Sequence, residues 1–285
     1  MKIVPLAFDS LGVRSTATFV ETDIKILIDP GASLGPSRYG LPPSVKEIEK
    51  LEELSELVGE YARIADFLTI SHYHYDHFFP QAEFYTDKFL FLKDPKDKIN
   101  RSQKRRAFEL LNWIGDSSKK KVFADGKSFK LKKTEITFSP PVFHGGINSR
   151  QGYVLMCSIL YGRGKLLHAS DVQGPQLDFS TDWIIDENPD VLILSGFPTL
   201  FLGFRVSKES MDKSNRNLMK ILTQTKVNTI ILDHHLVRDL NYKDKIQEVL
   251  EKAQKLGKKV LTAAEFLGKE PEFLEAKRKE LYVES

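Results

Sequence analysis

The residues best suited to chemistry in this sequence lie in one short stretch, Ser71-His72-Tyr73-His74-Tyr75-Asp76-His77. Three imidazoles and one carboxylate within six residues form a ligand set that zinc and similar divalent metals select. His72 and His74 lie two residues apart and can share a face to bind one ion. Asp76 and His77 would then face a second ion about 3.5–4 Å away, the spacing of two-metal hydrolytic sites. Asp76 could orient the attacking water while holding a metal. The alternative, a run of surface histidines, would crowd polar groups together without a compensating partner.

Further candidate ligands follow other apolar segments. His144 precedes two glycines, so the backbone there can approach an ion closely. Asp171 ends a predicted strand at a glycine-containing loop, and one carboxylate can give an oxygen to each of two cations. His234 and His235 follow the apolar segment 227–232. We favour His234 as a ligand because it occupies the same place after its strand as His72. His235 remains an alternative ligand or a substrate-facing acid.

Two polar residues at or near the ends of apolar strands, Asp29 and His168, are interpreted differently from the ligands. Asp29 lies at the mouth of an apolar strand and is followed by Pro30-Gly31, so it is either a turn residue or a carboxylate that orients metal-bound histidines. We favour the orienting role. His168 has the opposite strand parity to Asp171, which predicts a structural role for it. The single cysteine, Cys157, lies in an apolar strand and is interpreted as a buried structural thiol.

The elements that must position these residues are strands and helices with recognisable periodicity. A helix is predicted over residues 44–61, begun by a capping box of Ser44 and Glu47. Further predicted strands are 2–8, 16–21, 24–29, 64–70, 88–92, 128–131, 135–138, 153–161, 165–170, 191–194 and 227–232. Further predicted helices are one that ends at Leu222, one at 243–256, and a helical tail after the apolar segment 260–262. Two of the hairpins, 16–29 and 153–171, each deliver an aspartate to a glycine-containing loop. The similarity of these two hairpins predicts a chain of two related halves that face each other.

Basic residues are concentrated between Lys93 and Lys121, with Phe108 and Trp113 among the apolar residues of the same stretch. One interpretation is a solvated basic helix. The other is an electrostatic guide, in which these cations would attract a polyanionic substrate to the turn of residues 71–77, here called the metal turn. The sequence leaves both open.

Composition limits the remaining classes. The 285 residues fit one large domain, 1–285, with a net charge of +3 that by itself does not argue for nucleic acid. The hydrophobic fraction of 41% is typical of a soluble protein, and the absence of a long apolar run argues against membrane insertion. The N-terminus lacks the features of a signal peptide, so we expect a cytoplasmic protein.

Asp29, the turn of His72, His74, Asp76 and His77, then His144, Asp171 and His234 appear in the order of the five motifs of the metallo-β-lactamase fold superfamily, which the chain resembles. The resemblance implies an α/β (α+β) fold, a four-layer αββα sandwich of two mixed sheets flanked by helices, with a two-metal site at one edge. Within the superfamily, segments 8–15 (FDSLGVRS), 169–175 (ASDVQGP) and 232–236 (LDHHL) resemble an uncharacterised archaeal branch of predicted metal-dependent hydrolases.

The expected mechanism uses a hydroxide bound between two divalent ions. His72, His74 and His144 would hold one ion, Asp76, His77 and His234 the other, and Asp171 would bridge them. Zinc is the first expectation, and iron or manganese suit the same nitrogen and oxygen ligands. A phosphodiester or nucleic-acid-related substrate is preferred over a small carboxyl ester, thioester or lactone. The third hypothesis is a non-enzymatic metal-binding protein.

Overall fold

A computed structural model gives the fold and describes residues 1–283. Its strands are β1 (Lys2–Phe8), β2 (Thr16–Glu21), β3 (Lys25–Ile28), β4 (Phe67–Ile70), β5 (Phe89–Leu92), β6 (Lys120–Phe123), β7 (Ser128–Leu131), β8 (Thr134–Phe138), β9 (Val142–Phe143), β10 (Tyr153–Val154), β11 (Cys157–Tyr161), β12 (Gly164–His168), β13 (Val191–Ser195), β14 (Thr229–Asp233) and β15 (Lys259–Leu261). Its α-helices are α1 (Val45–Ile64), α2 (Arg101–Ile114), α3 (Asp178–Glu187), α4 (Lys208–Gln224), α5 (Tyr242–Lys245), α6 (Gln247–Lys255), α7 (Ala263–Phe266) and α8 (Arg278–Leu281). Within residues 1–283, the helices are too short or too polar to cross a membrane.

Two large mixed sheets have similar topology. The first has the strand order β1-β2-β3-β4-β5-β6, antiparallel up to β3 and parallel from β3 onward. The second has the order β15-β14-β13-β12-β11-β8-β7, antiparallel from β7 to β12 and parallel from β12 to β15. The carboxyl ends of the parallel strands within each sheet therefore meet at a common edge, as expected for related halves.

The main hydrophobic core lies between the sheets. Ile26 and Leu68 of the first sheet belong to the same buried cluster as Ile159 and Ile193 of the second. Along β13 the neighbours of Ile193, Leu192 and Leu194, join a second cluster that includes α4 and α6, because successive strand residues face opposite sides. Helix α1 packs against β1 and β3. These layers confirm the predicted αββα sandwich of two mixed sheets.

Local sequence signals predicted most of these elements. The capping box at the start of α1 is present, since the Ser44 hydroxyl accepts from the Glu47 amide and the Glu47 carboxylate accepts from the Ser44 amide. The predicted strand 153–161 is wrong in one respect, because it divides into β10, which pairs with β9, and β11. The predicted helix 243–256 is interrupted at Ile246, which separates α5 from α6. Strand β6 and helix α3 were not predicted.

Ion pairs and hydrogen bonds connect the C-terminal segment to the loop that precedes α1. The fully buried Arg278 pairs with Glu47 at 2.8 Å and donates to the Gly35 and Leu41 carbonyls. Arg14 pairs with Glu275 in the same region at 2.5 Å. These contacts tie the loop to the body of the protein.

Candidate metal centre

Strand ends at one edge of the sandwich position the predicted ligands. The turn of residues 71–77 follows β4, His144 follows β9, Asp171 lies just beyond β12, and His234 begins directly after β14. The carboxyl ends of parallel strands meet at such an edge, so residues distant in sequence converge there. All seven predicted metal ligands lie in groups close enough to share an ion, as do Asp29 and His235.

The first group contains His72, His74, His144 and Asp171, whose ligand atoms all lie within 4.8 Å of one another. His72 Nε2 is 3.0 Å from His74 Nδ1, and His144 Nε2 is 3.0 Å from Asp171 Oδ2. His72 Nε2 lies 3.9 Å from the same carboxylate oxygen. His74 is half-buried and the other three are buried. This is the set expected at the first ion, His72, His74 and His144, together with Asp171, which is expected to bridge both ions.

The second group contains Asp76, His77 and His234. His234 Nε2 is 3.6 Å from Asp76 Oδ2, and His77 Nε2 is 4.0 Å from Asp76 Oδ1. Asp171 lies beside this group too, with Oδ1 3.3 Å from His234 Nε2 and Oδ2 3.4 Å from His77 Nε2. Asp171 therefore touches both groups, the position in which one carboxylate could bridge two cations.

The donor atoms fit divalent metal ions. Within the described chain, His77 Nε2, both ring nitrogens of His144 and Asp171 Oδ1 are buried without an aligned hydrogen-bond partner. Buried polar atoms are rarely left so; other such atoms are scattered through the described chain, whereas these four lie together among the proposed ligands. Metal bonds of 2.0–2.1 Å in a tetrahedral site would separate ligand atoms by roughly 3.3 Å. The separations of 3.0–4.0 Å are close to that value.

Asp29 contacts His77 directly and His72 through the Ser71 hydroxyl. It is fully buried, and its Oδ2 accepts from His77 Nδ1 at 2.9 Å and from the Ser71 hydroxyl at 2.7 Å. Ser71 Oγ lies 2.9 Å from His72 Nδ1, and because it donates to Asp29 it accepts the His72 proton. Burial opposes ionisation of Asp29, but the contact with His77 lowers its pKa. These contacts engage Nδ1 of both rings and leave Nε2 directed at the ligand groups, the arrangement that the orienting interpretation of Asp29 predicts.

Asp9 makes the corresponding contact with His234, and sequence reasoning did not single it out for this. Asp9 Oδ2 lies 2.5 Å from His234 Nδ1, and Asp9 Oδ1 accepts from Arg238 Nε at 2.5 Å. Burial opposes ionisation of Asp9, but Arg238 and His234 hold its pKa well below the usual range. Asp9 follows β1 as Asp29 follows β3, so its place after an apolar strand was the available signal.

The electrostatics of the site favour cations. Burial lowers the pKa of His74 to about 3, which keeps that imidazole neutral and able to bind metal. Burial would also lower the pKa of His234, but Asp171 and Asp9 raise it to about 9. The carboxylates that attract a proton to His234 would equally attract a divalent ion, so metal and proton compete there.

The remaining sequence-predicted residues occupy distinct positions. His235 Nε2 lies 3.1 Å from Asp171 Oδ2, so His235 joins His234 and Asp171 in a further close group. His168 points elsewhere, because its Nε2 is 2.9 Å from the Thr16 carbonyl oxygen, in keeping with the predicted structural role. Cys157 is buried and free, and burial raises its thiol pKa.

The basic helix α2 lies against two segments of the site. Arg106 donates to the Tyr73 carbonyl at 3.2 Å and lies over the Tyr75 ring. Asn100 and Gln103 donate to the carbonyls of Arg150 and Gln151, in the loop that follows His144. The start of α2 is therefore next to the metal turn, as the electrostatic-guide interpretation requires. Lys120 lies instead beside the start of β5, at the opposite end of the sheet, and Lys93 is buried in an ion pair with Asp125.

Comparisons with known proteins identify the family. A UPF0282 protein of Methanopyrus kandleri is 45% identical over 295 residues, covering 99% of both chains. One of Korarchaeum cryptofilum is 47% identical, covering 99% of this chain and 94% of its own. The chain belongs to the UPF0282 family. These archaeal relatives confirm the predicted archaeal branch, whereas no family model matches the chain.

Solved structures confirm the metallo-β-lactamase fold. The metallo-β-lactamase fold protein YhfI of Bacillus subtilis aligns with a TM-score of 0.54 at 16% identity, over 87% of this UPF0282 chain and 88% of YhfI. Yeast PDE1 gives a TM-score of 0.54 at 12% identity, over 91% and 96% of the chains. Tm1679, described as a metal-dependent hydrolase of the β-lactamase superfamily, gives 0.52 at 14% identity, over 91% and 94%. At these identities the likeness concerns the fold.

Proposed function

We propose that this UPF0282 protein is a metal-dependent hydrolase that uses two divalent ions, zinc by first preference with iron or manganese as alternatives. The observation that carries the proposal is the pair of ligand groups that share Asp171. The buried carboxylates of Asp29 and Asp9 contact the Nδ1 atoms of His77 and His234, so the Nε2 atom of each ring is directed at the ligand groups. The similarity to Tm1679, which is described as a metal-dependent hydrolase, supports the same reaction class.

Each part of the chain has a defined task in this proposal. His72, His74 and His144 would hold one ion, Asp76, His77 and His234 the other, and Asp171 would bind both. Two bound divalent ions would polarise the substrate and lower the pKa of a water so that it can attack near neutral pH. Asp76 is half-buried at the mouth of the second group, so its carboxylate can also orient that water.

We propose a phosphodiester or nucleic-acid-related substrate, because the start of α2 brings positive charge to the metal turn. Arg101, Lys104 and Arg105 are exposed on this helix, and Arg106 contacts the turn itself. Exposed cations beside a hydrolytic site attract polyanions and make the attraction dependent on salt. A carboxyl ester, thioester or lactone would gain nothing from this charge.

The reaction class is tested with bis(p-nitrophenyl) phosphate as substrate for the zinc-loaded protein. We expect turnover that Asp171→Asn abolishes, because the substitution removes the carboxylate shared by both groups. Asp190→Asn is the matched control, since Asp190 accepts from Lys165 in a turn remote from the site. Loss of turnover only in the Asp171 variant supports the proposal. Wild-type protein that binds metal but hydrolyses carboxyl esters instead would redirect the substrate class.

The role of α2 is tested with a single-stranded oligonucleotide. Lys104→Ala with Arg105→Ala should lower kcat/KM for the oligonucleotide more than for bis(p-nitrophenyl) phosphate. The dependence of log kcat/KM on log salt should also become shallower, by roughly 0.7 per cation removed. Equal effects on both substrates, or an unchanged salt slope, would contradict an electrostatic guide.

A further inference from the structure

His234 and His235 are adjacent, and both bring Nε2 to the carboxylate of Asp171. The distances are 3.3 Å from His234 to Oδ1 and 3.1 Å from His235 to Oδ2. Proximity therefore does not distinguish a metal ligand from a residue with another role. The two roles can be distinguished by the group that contacts the opposite ring nitrogen, Nδ1. That group decides which nitrogen of the ring carries the proton.

The Nδ1 atom of His234 faces an acceptor. Asp9 Oδ2 is 2.5 Å away, and an ionised carboxylate can only accept. Arg238 NH2 also lies 3.2 and 3.5 Å from the two His234 ring nitrogens, so its contact is divided between them, whereas the Asp9 carboxylate is closer and faces Nδ1 alone. A metal-bound His234 would therefore carry its single proton on Nδ1 and present Nε2 to the ion.

The Nδ1 atom of His235 faces a donor. Arg238 NH1 lies 3.2 Å away, and a guanidinium has no acceptor, so this Nδ1 must be unprotonated. A neutral His235 then carries its proton on Nε2, where Asp171 Oδ2 accepts it at 3.1 Å. The Gln173 side-chain amide lies 3.3 Å from the same Nε2 and must then present its oxygen, not its NH₂, to that proton. If His235 bound a metal through Nε2, its proton would move to Nδ1 and point at the Arg238 donor.

We propose that Asp9 and Arg238 hold the two histidines in opposite tautomers, so that His234 is a metal ligand and His235 is a hydrogen-bond donor to an anionic oxygen of the substrate. The proposal rests on the proposed hydrolase function and divides the roles within its site. Arg238 acts as the shared positioning residue, through Asp9 on one side and directly on the other.

Exposure agrees with this division. The His234 side chain is 0% exposed, whereas the His235 side chain is 11% exposed. His235 is thus the member of the pair that solvent, and therefore a substrate, can reach. Its Nε2–H faces Asp171 Oδ2 at 3.1 Å, and a phosphoryl oxygen placed beside that carboxylate would share this donor, which would stabilise the charge that develops during attack.

Nitrogen NMR of histidine-labelled protein loaded with zinc tests the tautomers directly. We expect His235 to show a protonated Nε2 and an unprotonated Nδ1, and His234 to show a protonated Nδ1 and a metal-shifted Nε2. Single His→Gln variants assign the signals. Arg238→Met should convert His235 to a mixture of tautomers. If that variant does not fold, the wild-type spectrum still decides, and a wild-type His235 protonated on Nδ1 would overturn the proposal.

Zinc content of His234→Gln and His235→Gln gives the second test. We expect His235→Gln to retain the wild-type zinc content and to lose roughly 100-fold in kcat on bis(p-nitrophenyl) phosphate. His234→Gln should bind zinc more weakly or lose part of it. Wild-type zinc content together with zinc loss in His235→Gln would overturn this inference alone. Wild-type protein that binds no zinc or other divalent metal would overturn the proposed function and the inference with it.

Discussion

Replacing Asp29 by asparagine should weaken metal binding without changing the fold. Asp29 has a backbone φ of 51°, in the left-handed region that asparagine tolerates well, and the two side chains have nearly the same shape. The substitution therefore changes hydrogen bonding and charge rather than volume. Asp29 is fully buried, so water cannot compensate.

The magnitude follows from the four donors around this carboxylate. Oδ1 accepts from the Ser71 amide, and Oδ2 accepts from the Ser71 hydroxyl, the Ser170 hydroxyl and His77 Nδ1. In either orientation, the asparagine NH₂ faces a donor, the Ser71 amide or His77 Nδ1. One buried donor left unpaired costs about 1–3 kcal/mol of stability. His77 can relieve the conflict only by moving its proton to Nε2, which blocks its metal-binding atom.

Calorimetric zinc titration and urea unfolding measure the two effects. We expect Asp29→Asn to bind zinc about 10–100-fold more weakly. Its metal-free form should unfold at a lower urea concentration. Asp23→Asn is the matched control, because Asp23 accepts from Thr134 and Lys133 in a remote turn, and it should bind zinc normally. An Asp29→Asn protein with wild-type zinc affinity would refute the orienting role.

Three further predictions concern the surroundings of the site. Arg278→Met should lower the unfolding free energy by about 3–5 kcal/mol in urea denaturation, because it leaves the Glu47 carboxylate buried without its ion pair; a loss below about 1 kcal/mol would contradict this. Burial opposes ionisation of Glu275, but Arg14 lowers its pKa in the folded protein. The ion pair of these two residues therefore stabilises the fold fully above about pH 4.3, the usual pKa of a glutamate, and this stabilisation is lost as pH falls below that value. Glu275→Gln should therefore flatten the acid side of the stability curve, and an unchanged curve would count against the pair. Gly31→Ala should prevent zinc binding or folding, because its Cβ would lie 2.0 Å from a backbone nitrogen of the segment after the metal turn; normal zinc content would exclude this close approach.

The metal turn could be predicted from sequence because its ligands are adjacent and follow one apolar strand. The same holds for the capping box of α1, whose two partners lie three residues apart. Strand β6 was not predicted because its sequence begins with two lysines and its residues do not alternate between buried and exposed. It lies at the edge of the sheet, where charged residues discourage pairing with a further strand. Helix α3 escaped because Trp183, Ile184 and Ile185 are consecutive rather than spaced at helical intervals.

The residues that contact Nδ1 of the histidines could not be found from spacing. Asp9 and His234 lie 225 residues apart, and only the packing of both strand ends at one edge brings them together. The roles of His234 and His235 likewise depend on which atom of Arg238 faces each ring. Sequence reasoning could place a histidine at the site, whereas its tautomer required the partners of the second ring nitrogen.

Metal content tests the central claim most directly. Elemental analysis of wild-type protein purified without added metal, followed by zinc titration of the chelator-treated protein, should give about two equivalents of divalent metal per chain. About one equivalent would contradict the shared role of Asp171, and no binding in either measurement would contradict the metal centre itself.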